Sequence, residues 1–156
     1  MERHGHRRGR RGSQSGDGRR FRGRAVKLLD SSFCADFLRG RNAAKSYRLD
    51  HQDESLVLSA VGYYELYHGA VKEGRDPARV DDLLPWVERI DYDRAHALEG
   101  ARIRQELEAQ GERLQHPDMM LAGVARSLGV PVVTADGGFE RVDGLDVENH
   151  RELYRE

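Results

Sequence analysis

The sequence predicts an α/β protein with a mostly parallel sheet, on three observations. Short apolar runs alternate with longer stretches of helical periodicity, the pattern that sets strands in a sheet and helices against it. Two of those runs, V-K-L-L-D-S-S-F at 26–33 and V-P-V-V-T-A-D-G-G-F at 130–139, end in an acid, Asp30 and Asp136. The length of 156 residues suits one domain and buries a core without staples.

The elements follow in order. Strand one is expected at residues 26–30. Ser31 or Ser32 is expected to cap the next helix, whose apolar face is Phe33, Phe37 and Leu38 and which Gly40 ends. A polar helix covers 42–53. Strand two, S-L-V-L-S-A at 55–60, runs into V-G-Y-Y-E-L-Y-H-G-A, where the pattern turns helical and Glu65 lies about one turn in. A helical hairpin spans 70–84 and stops at Pro85, with a third strand at 86–90. The helix at 92–110 sets Ala95, Leu98, Ala101, Ile103 and Leu107 near helical spacing and closes at Gly111. Pro117 takes the first position of the next helix, Asp118 falls in its first turn, and Gly129 follows its end. Strands at 131–135 and 145–148 complete the sheet.

Charge divides the chain. Residues 1–25 hold nine Arg against Glu2 and Asp17, a net of +7; residues 26–156 hold 17 basic and 25 acidic residues, a net of -8. The Arg/Gly-rich segment 1–25 cannot bury a core and is expected to be a disordered leader before a domain at 26–156. It lacks the apolar stretch of a secretory signal. It reads as a basic arm for nucleic acid or, preferred, as no natural part of the protein, since valine codons also start translation and Val26 is then the first residue. The single cysteine, Cys34, excludes an intramolecular disulfide and a cysteine zinc site, and fits a reducing cytoplasm. No apolar run approaches the roughly 20 residues of a membrane span.

Four acids stand at similar places: Asp30 after strand one, Glu65 early in a helix after strand two, Asp118 at a helix start, and Asp136 after a late strand. Each alone has a plain explanation. Asp118 favours a helix dipole, Asp136 before Gly137 and Gly138 makes a turn, and Glu65 suits a solvated helix. Asp30 is harder to explain so, because an acid directly after V-K-L-L is costly to bury unpaired. Together they fall at one end of the sheet, where α/β proteins bind ligands. Clustered carboxylates resist ionising without a cation, and hard Mg²⁺ or Mn²⁺ takes all-oxygen ligands. Such a site suits phosphoryl chemistry, with Ser32 or Thr134 orienting a carboxylate or a water.

Other residues carry weaker signals. His68 and His116 read as surface residues and Cys34 as a buried small apolar one. Tyr63, Tyr64 and Tyr67 read as packing, with one available to stack a base. Arg39, Arg41, Lys45 and Arg48 read as a solvated face that can also meet phosphates.

The motifs V-K-L-L-D-S-S-F, S-A-V-G-Y-Y-E-L-Y-H-G-A, H-P-D-M-M-L-A-G-V-A and V-V-T-A-D-G-G-F, in this order and spacing, resemble those of PIN-domain ribonucleases, in particular the VapC-type toxins of toxin–antitoxin pairs. The resemblance covers residues 26 to about 150. It implies a three-layer α/β/α fold, Mg²⁺- or Mn²⁺-dependent cleavage of RNA, a homodimer and a small cognate antitoxin. It implies Asp30 and Asp118 as primary metal ligands, Glu65 completing the site and Asp136 as a peripheral fourth acid. Ser32 and Thr134 match the family's supporting hydroxyls. Gly137 and Gly138 depart from it, standing where a more polar pair is common.

Two rivals come from other classes. A haloacid-dehalogenase-like phosphatase also starts with a strand and an acid, but needs a second Asp two residues on, where this chain has Ser32. A PIN-like module that processes RNA in another role, or binds RNA or a partner without cleaving, keeps the fold and not the toxin function.

Overall fold

The computed structural model describes residues 23–155, so the expected leader lies outside the described residues except for its last three. The strands are β1 (Val26–Leu29), β2 (Ser55–Ser59), β3 (Glu88–Ile90), β4 (Val132–Thr134) and β5 (Val147–Asn149). All pair in parallel, in the spatial order β3-β2-β1-β4-β5. The helices are α1 (Ser31–Leu38), α2 (Asn42–Asp50), α3 (Ala60–Lys72), α4 (Ala78–Leu83), α5 (Arg94–Ala109), α6 (His116–Leu128) and α7 (His150–Leu153).

The sheet is covered on both faces, which makes this a three-layer α/β/α fold. Neighbouring residues on a strand point to opposite faces. Leu28, Val57 and Val132 accordingly pack with Ile103, Leu121 and Val124 of α5 and α6. Leu29, Leu58 and Val133 pack with Phe33, Tyr47 and Leu66 of α1, α2 and α3. β2 is buried along its whole length, as a central parallel strand must be.

The topology decides where a ligand sits. The chain leaves β1 for β2 and β3 on one side, then returns to β4 and β5 on the other. The order in which strands are added therefore reverses at β1, and the crevice above its carboxyl end is a topological switch point. Asp30 follows β1 directly.

Several boundaries and faces differ from expectation. Ser31 and Ser32 do not cap α1. Asp30 is its N-cap residue and makes no side-chain cap bond; its carbonyl accepts from Phe33 N and Cys34 N, which frees both hydroxyls for other partners. The buried stripe of α5 is His96, Gly100, Ile103 and Leu107, while Ala95, Leu98 and Ala101 are exposed. The reason is the contact with α6. A Cβ at Gly123 would stand 2.5 Å from Gly100 N and 2.7 Å from His96 O, so the two helices touch backbone to backbone along a line through Gly100. The expected hairpin at 70–84 divides, because α3 runs on to Lys72 and α4 begins at Ala78. Pro117 is the second residue of α6 because the helix starts at His116. The third and fifth strands are shorter or shifted by two residues, at Glu88–Ile90 and Val147–Asn149. Among the described residues no helix is long and apolar enough to cross a membrane.

Candidate metal centre

Asp30 is 3% exposed and stands at the positive end of α1. Its Oδ2 accepts from Ser32 Oγ at 2.7 Å and from Thr134 Oγ1 at 2.8 Å. Each hydroxyl in turn accepts a backbone N–H: Ala135 N donates to Ser32 Oγ at 3.0 Å, and Asp136 N to Thr134 Oγ1 at 2.9 Å. A hydroxyl has one proton. With the backbone amides on the hydroxyl oxygens, both hydroxyls are turned to Asp30, which fixes the orientation of its carboxyl group. Asp30 Oδ1 is buried and has no hydrogen-bond partner.

Glu65 and Asp118 complete a triad. One carboxylate oxygen from each of Asp30, Glu65 and Asp118 lies within 4.8 Å of the others. Glu65 sits on α3, half-buried, and accepts from Ser31 Oγ at 3.3 Å. Burial, then the charge of Asp30, raises its pKa, with the Ser31 bond opposing. Asp118 lies in the first turn of α6, and its pKa is pushed up to about 7, by burial first and then by Asp30, Asp136 and Glu65. Among the described residues no Lys, Arg or His forms an ion pair with any of the three.

Asp136 is placed differently. It is exposed, and its Oδ1 accepts from Gly138 N at 2.9 Å, capping a 3₁₀ turn at Gly137–Arg141. It is not one of the clustered three, although its charge reaches Asp118. It makes the turn expected of its place before Gly137 and Gly138, and it stands outside the three carboxylates that come together.

The residues fit a hard divalent cation. The donors are all carboxylate oxygens, no Lys, Arg or His among the described residues pairs with them, and Asp30 has one buried oxygen without a partner. Asp30, Asp118 and Glu65 are the side chains that would hold it.

Ser31 is the functional residue that sequence reasoning did not single out. Two hydroxyls that follow an acid at a helix start project about 100° apart, so only one turns back to that acid. Ser32 does so, and Ser31 is left facing the next strand's helix. His68 and His116 are exposed, and Cys34 is fully buried with its thiol pKa pushed up by burial and by Asp30. Tyr63 is core, Tyr67 donates to Asp81 at 2.7 Å, and Tyr64 is 66% exposed. Arg41 lies 3.5 Å from Asp36 and Arg48 lies 5.0 Å from the Trp86 ring centre. Of the basic residues expected near this rim, Arg39 lines a groove that begins at Ser31 and Glu65 and runs between α1, α3 and α4.

The comparisons agree with this geometry. The family model described as PIN domain matches residues 27–145. The chain is 33% identical over 126 residues to the tRNA(fMet)-specific endonuclease VapC of Shigella flexneri, covering 78% of this chain and 96% of that one. It is 30% identical, with the same coverage, to Ribonuclease VapC2 of Haemophilus influenzae. Among solved structures, DNA-bound VapBC from Salmonella typhimurium superimposes with a TM-score of 0.73 at 28% identity, over 81% of this chain and 98% of that one. VapBC2 from Rickettsia felis, bound to a promoter DNA fragment, superimposes with a TM-score of 0.71 at 20% identity, over 80% and 98%, a likeness of fold.

Proposed function

The chain belongs to the PIN domain family, among its VapC-type members, and on that premise we propose that it is a divalent-metal-dependent endoribonuclease, the toxin of a type II toxin–antitoxin pair. The observation that carries the chemistry is the uncompensated triad of Asp30, Glu65 and Asp118, with Asp30 Oδ1 buried and unpartnered. A bound Mg²⁺ or Mn²⁺ supplies Lewis acidity, lowering the pKa of an attacking water and neutralising charge on the phosphodiester.

The chain's own residues do the rest. Asp30 is held in place by Ser32 and Thr134, so its orientation is set before any ligand arrives. Asp118 and Glu65 have raised pKa values while the site holds only carboxylates, and a cation held beside Asp30 would lower both. Ser31 keeps Glu65 turned toward the triad. Asp136 adds negative potential at the rim and holds its turn beside the site.

The partner reading is an RNA substrate and a small antitoxin, because the superimposed structures are VapBC complexes and the curated relatives are named for RNA cleavage. A homodimer, a cytoplasmic setting and a PIN domain spanning 26–156 complete the proposal. The names of the relatives make an initiator tRNA transcript the first substrate to try. Cleavage with Mg²⁺ or Mn²⁺, its loss in EDTA and its loss in Asp118→Asn are expected. EDTA-resistant cleavage, or full activity in that variant, overturns the mechanism.

A further inference from the structure

The acid centre has unlike surfaces on its two sides. The groove between α1, α3 and α4 has an apolar floor that includes Leu38, Leu66, Val80 and Leu83, which suits side chains better than phosphates. The other side, at the connection between α5 and α6, is a cavity of about 280 Å³ lined by Arg104, Arg113 and His116 together with Glu108 and Glu112.

The two acids of this cavity are already matched. Arg104 Nε meets Glu108 at 2.9 Å, and Arg141 Nε lies 3.6 Å from Glu112. Arg113 is held by its backbone, since its carbonyl accepts from Arg141 Nη1 at 3.1 Å. Its guanidinium has no ion pair among the described residues. Among the described residues Arg113 is therefore the lining arginine without an ion pair, and it is exposed, with His116 beside it.

Its position ties it to the triad. His116 precedes Asp118 by two residues in the first turn of α6. Leu114, next to Arg113, packs against the turn of Asp136: a Cβ at Gly138 would stand 2.9 Å from Leu114 Cδ2.

We infer that this cavity is a phosphate-binding subsite for the RNA strand beside the scissile bond, with Arg113 as the contact. The inference rests on the proposed nuclease function. Residues 26–156 carry a net charge of -8, which repels RNA at long range, so the attraction must come from local cations. Arg113 supplies one at the edge of the acid centre, and a guanidinium grips a phosphate through paired N–H donors.

The test measures binding of a fluorescein-labelled initiator tRNA transcript across a salt series with Mg²⁺ present. It uses Asp30→Asn to prevent cleavage, with and without Arg113→Ala, and Arg94→Glu as the control. Arg94 starts α5, roughly 15–21 Å along that helix from the residues that line the cavity. Arg113→Ala is expected to weaken binding several-fold and to lower the slope of log affinity against log salt by about 0.7–0.9. Arg94→Glu is expected to leave the slope unchanged. An unaltered slope in Arg113→Ala, or an equal loss in Arg94→Glu, overturns the subsite. The uncut control separates the two levels. A wild-type chain that leaves the transcript and total bacterial RNA intact overturns the nuclease function and the subsite with it. A wild type that cuts, with an unaltered Arg113→Ala slope, overturns the subsite alone.

Discussion

Asp30 and Asp36 lie six residues apart, one before α1 and one within it, and are 3% and 1% exposed. Their surroundings are opposite. Asp36 has its partners built in: the Arg151 guanidinium grips both oxygens at 2.7 Å, and His150 Nε2 lies 2.9 Å from Oδ2. Asp30 has two hydroxyls on one oxygen, nothing on the other, and two more carboxylates beside it. One buried acid is satisfied within the fold and the other is left short of positive charge. Equal burial thus marks a structural residue in one case and a ligand in the other, and only the count of compensating charges tells them apart.

The largest expected effect lies at the unsatisfied end. Asp30→Asn should reduce RNA cleavage by at least ~10³-fold, the scale of losing an essential electrostatic group. It should leave the melting temperature unchanged or higher, because a like-charge cluster loses a member. Gel assays and a thermal melt on one preparation check both; a variant that unfolds would put Asp30 in the same structural class as Asp36.

Asp36→Asn should do the reverse. It strips the charge from a clamp that ties α7 to α1 and should cost about 2–3 kcal/mol. That is below the figure for a fully buried pair, because the Arg151 side chain is 46% exposed. Urea denaturation reads this loss, and cleavage per folded molecule should hold within a few-fold. A stable but inactive Asp36→Asn would erase the contrast.

Thr134→Val comes next. It removes one of the two donors to Asp30 Oδ2 and should lower metal affinity and cleavage by about 10–100-fold. Ser32→Ala should act alike, since it removes the other. Calorimetric Mn²⁺ titration is the direct measure, and wild-type affinity in both variants would show that the hydroxyls do not orient the acid.

The smallest effect is in pH dependence. Asp118 has a folded pKa of about 7, above the ordinary value near 3.9 in an unfolded chain. The metal-free fold therefore binds the extra proton, and its stability falls as pH rises from about 4 through 7. Glu65, also raised, adds to the same trend. Asp36 runs the other way. Burial acts to raise its pKa, but the bonds from Arg151 and His150 hold it below the usual value, so its contribution is lost as pH falls below about 4. Melts of metal-free protein should drop by a few degrees between pH 5 and pH 8, and saturating Mg²⁺ should flatten that slope. A slope that survives Asp118→Asn would mean another group carries it.

Much of this was legible in the residues. The strand at Val26–Leu29 ends on an acid because an apolar run of that length can only be buried, and the acid that follows must emerge at its end. The four acids, the hydroxyls Ser32 and Thr134, and the helix start around Asp118 were readable for the same kind of reason. The face of α5 was not. Leu98 lies outside while His96 and Gly100 lie inside beside Ile103 and Leu107, because the approach of Gly100 to Gly123 sets the rotation of the helix and small residues leave no hydrophobic signal. The clamp on Asp36 was equally invisible, since its partners lie over a hundred residues away.

The sequence by itself determined the α/β alternation and which acids stand at element ends, since both are set by local pattern: period, chain punctuation and the cost of burying charge. It set Asp30 apart as costly to bury unpaired and said nothing of Asp36. Tertiary structure alone decided that Asp36 meets Arg151 and His150, and that Asp30, Glu65 and Asp118 converge within 4.8 Å. The physical reason is that a carboxylate's role depends on the charges and donors around it. Those arrive from distant parts of the chain, brought together where the sheet order reverses at β1.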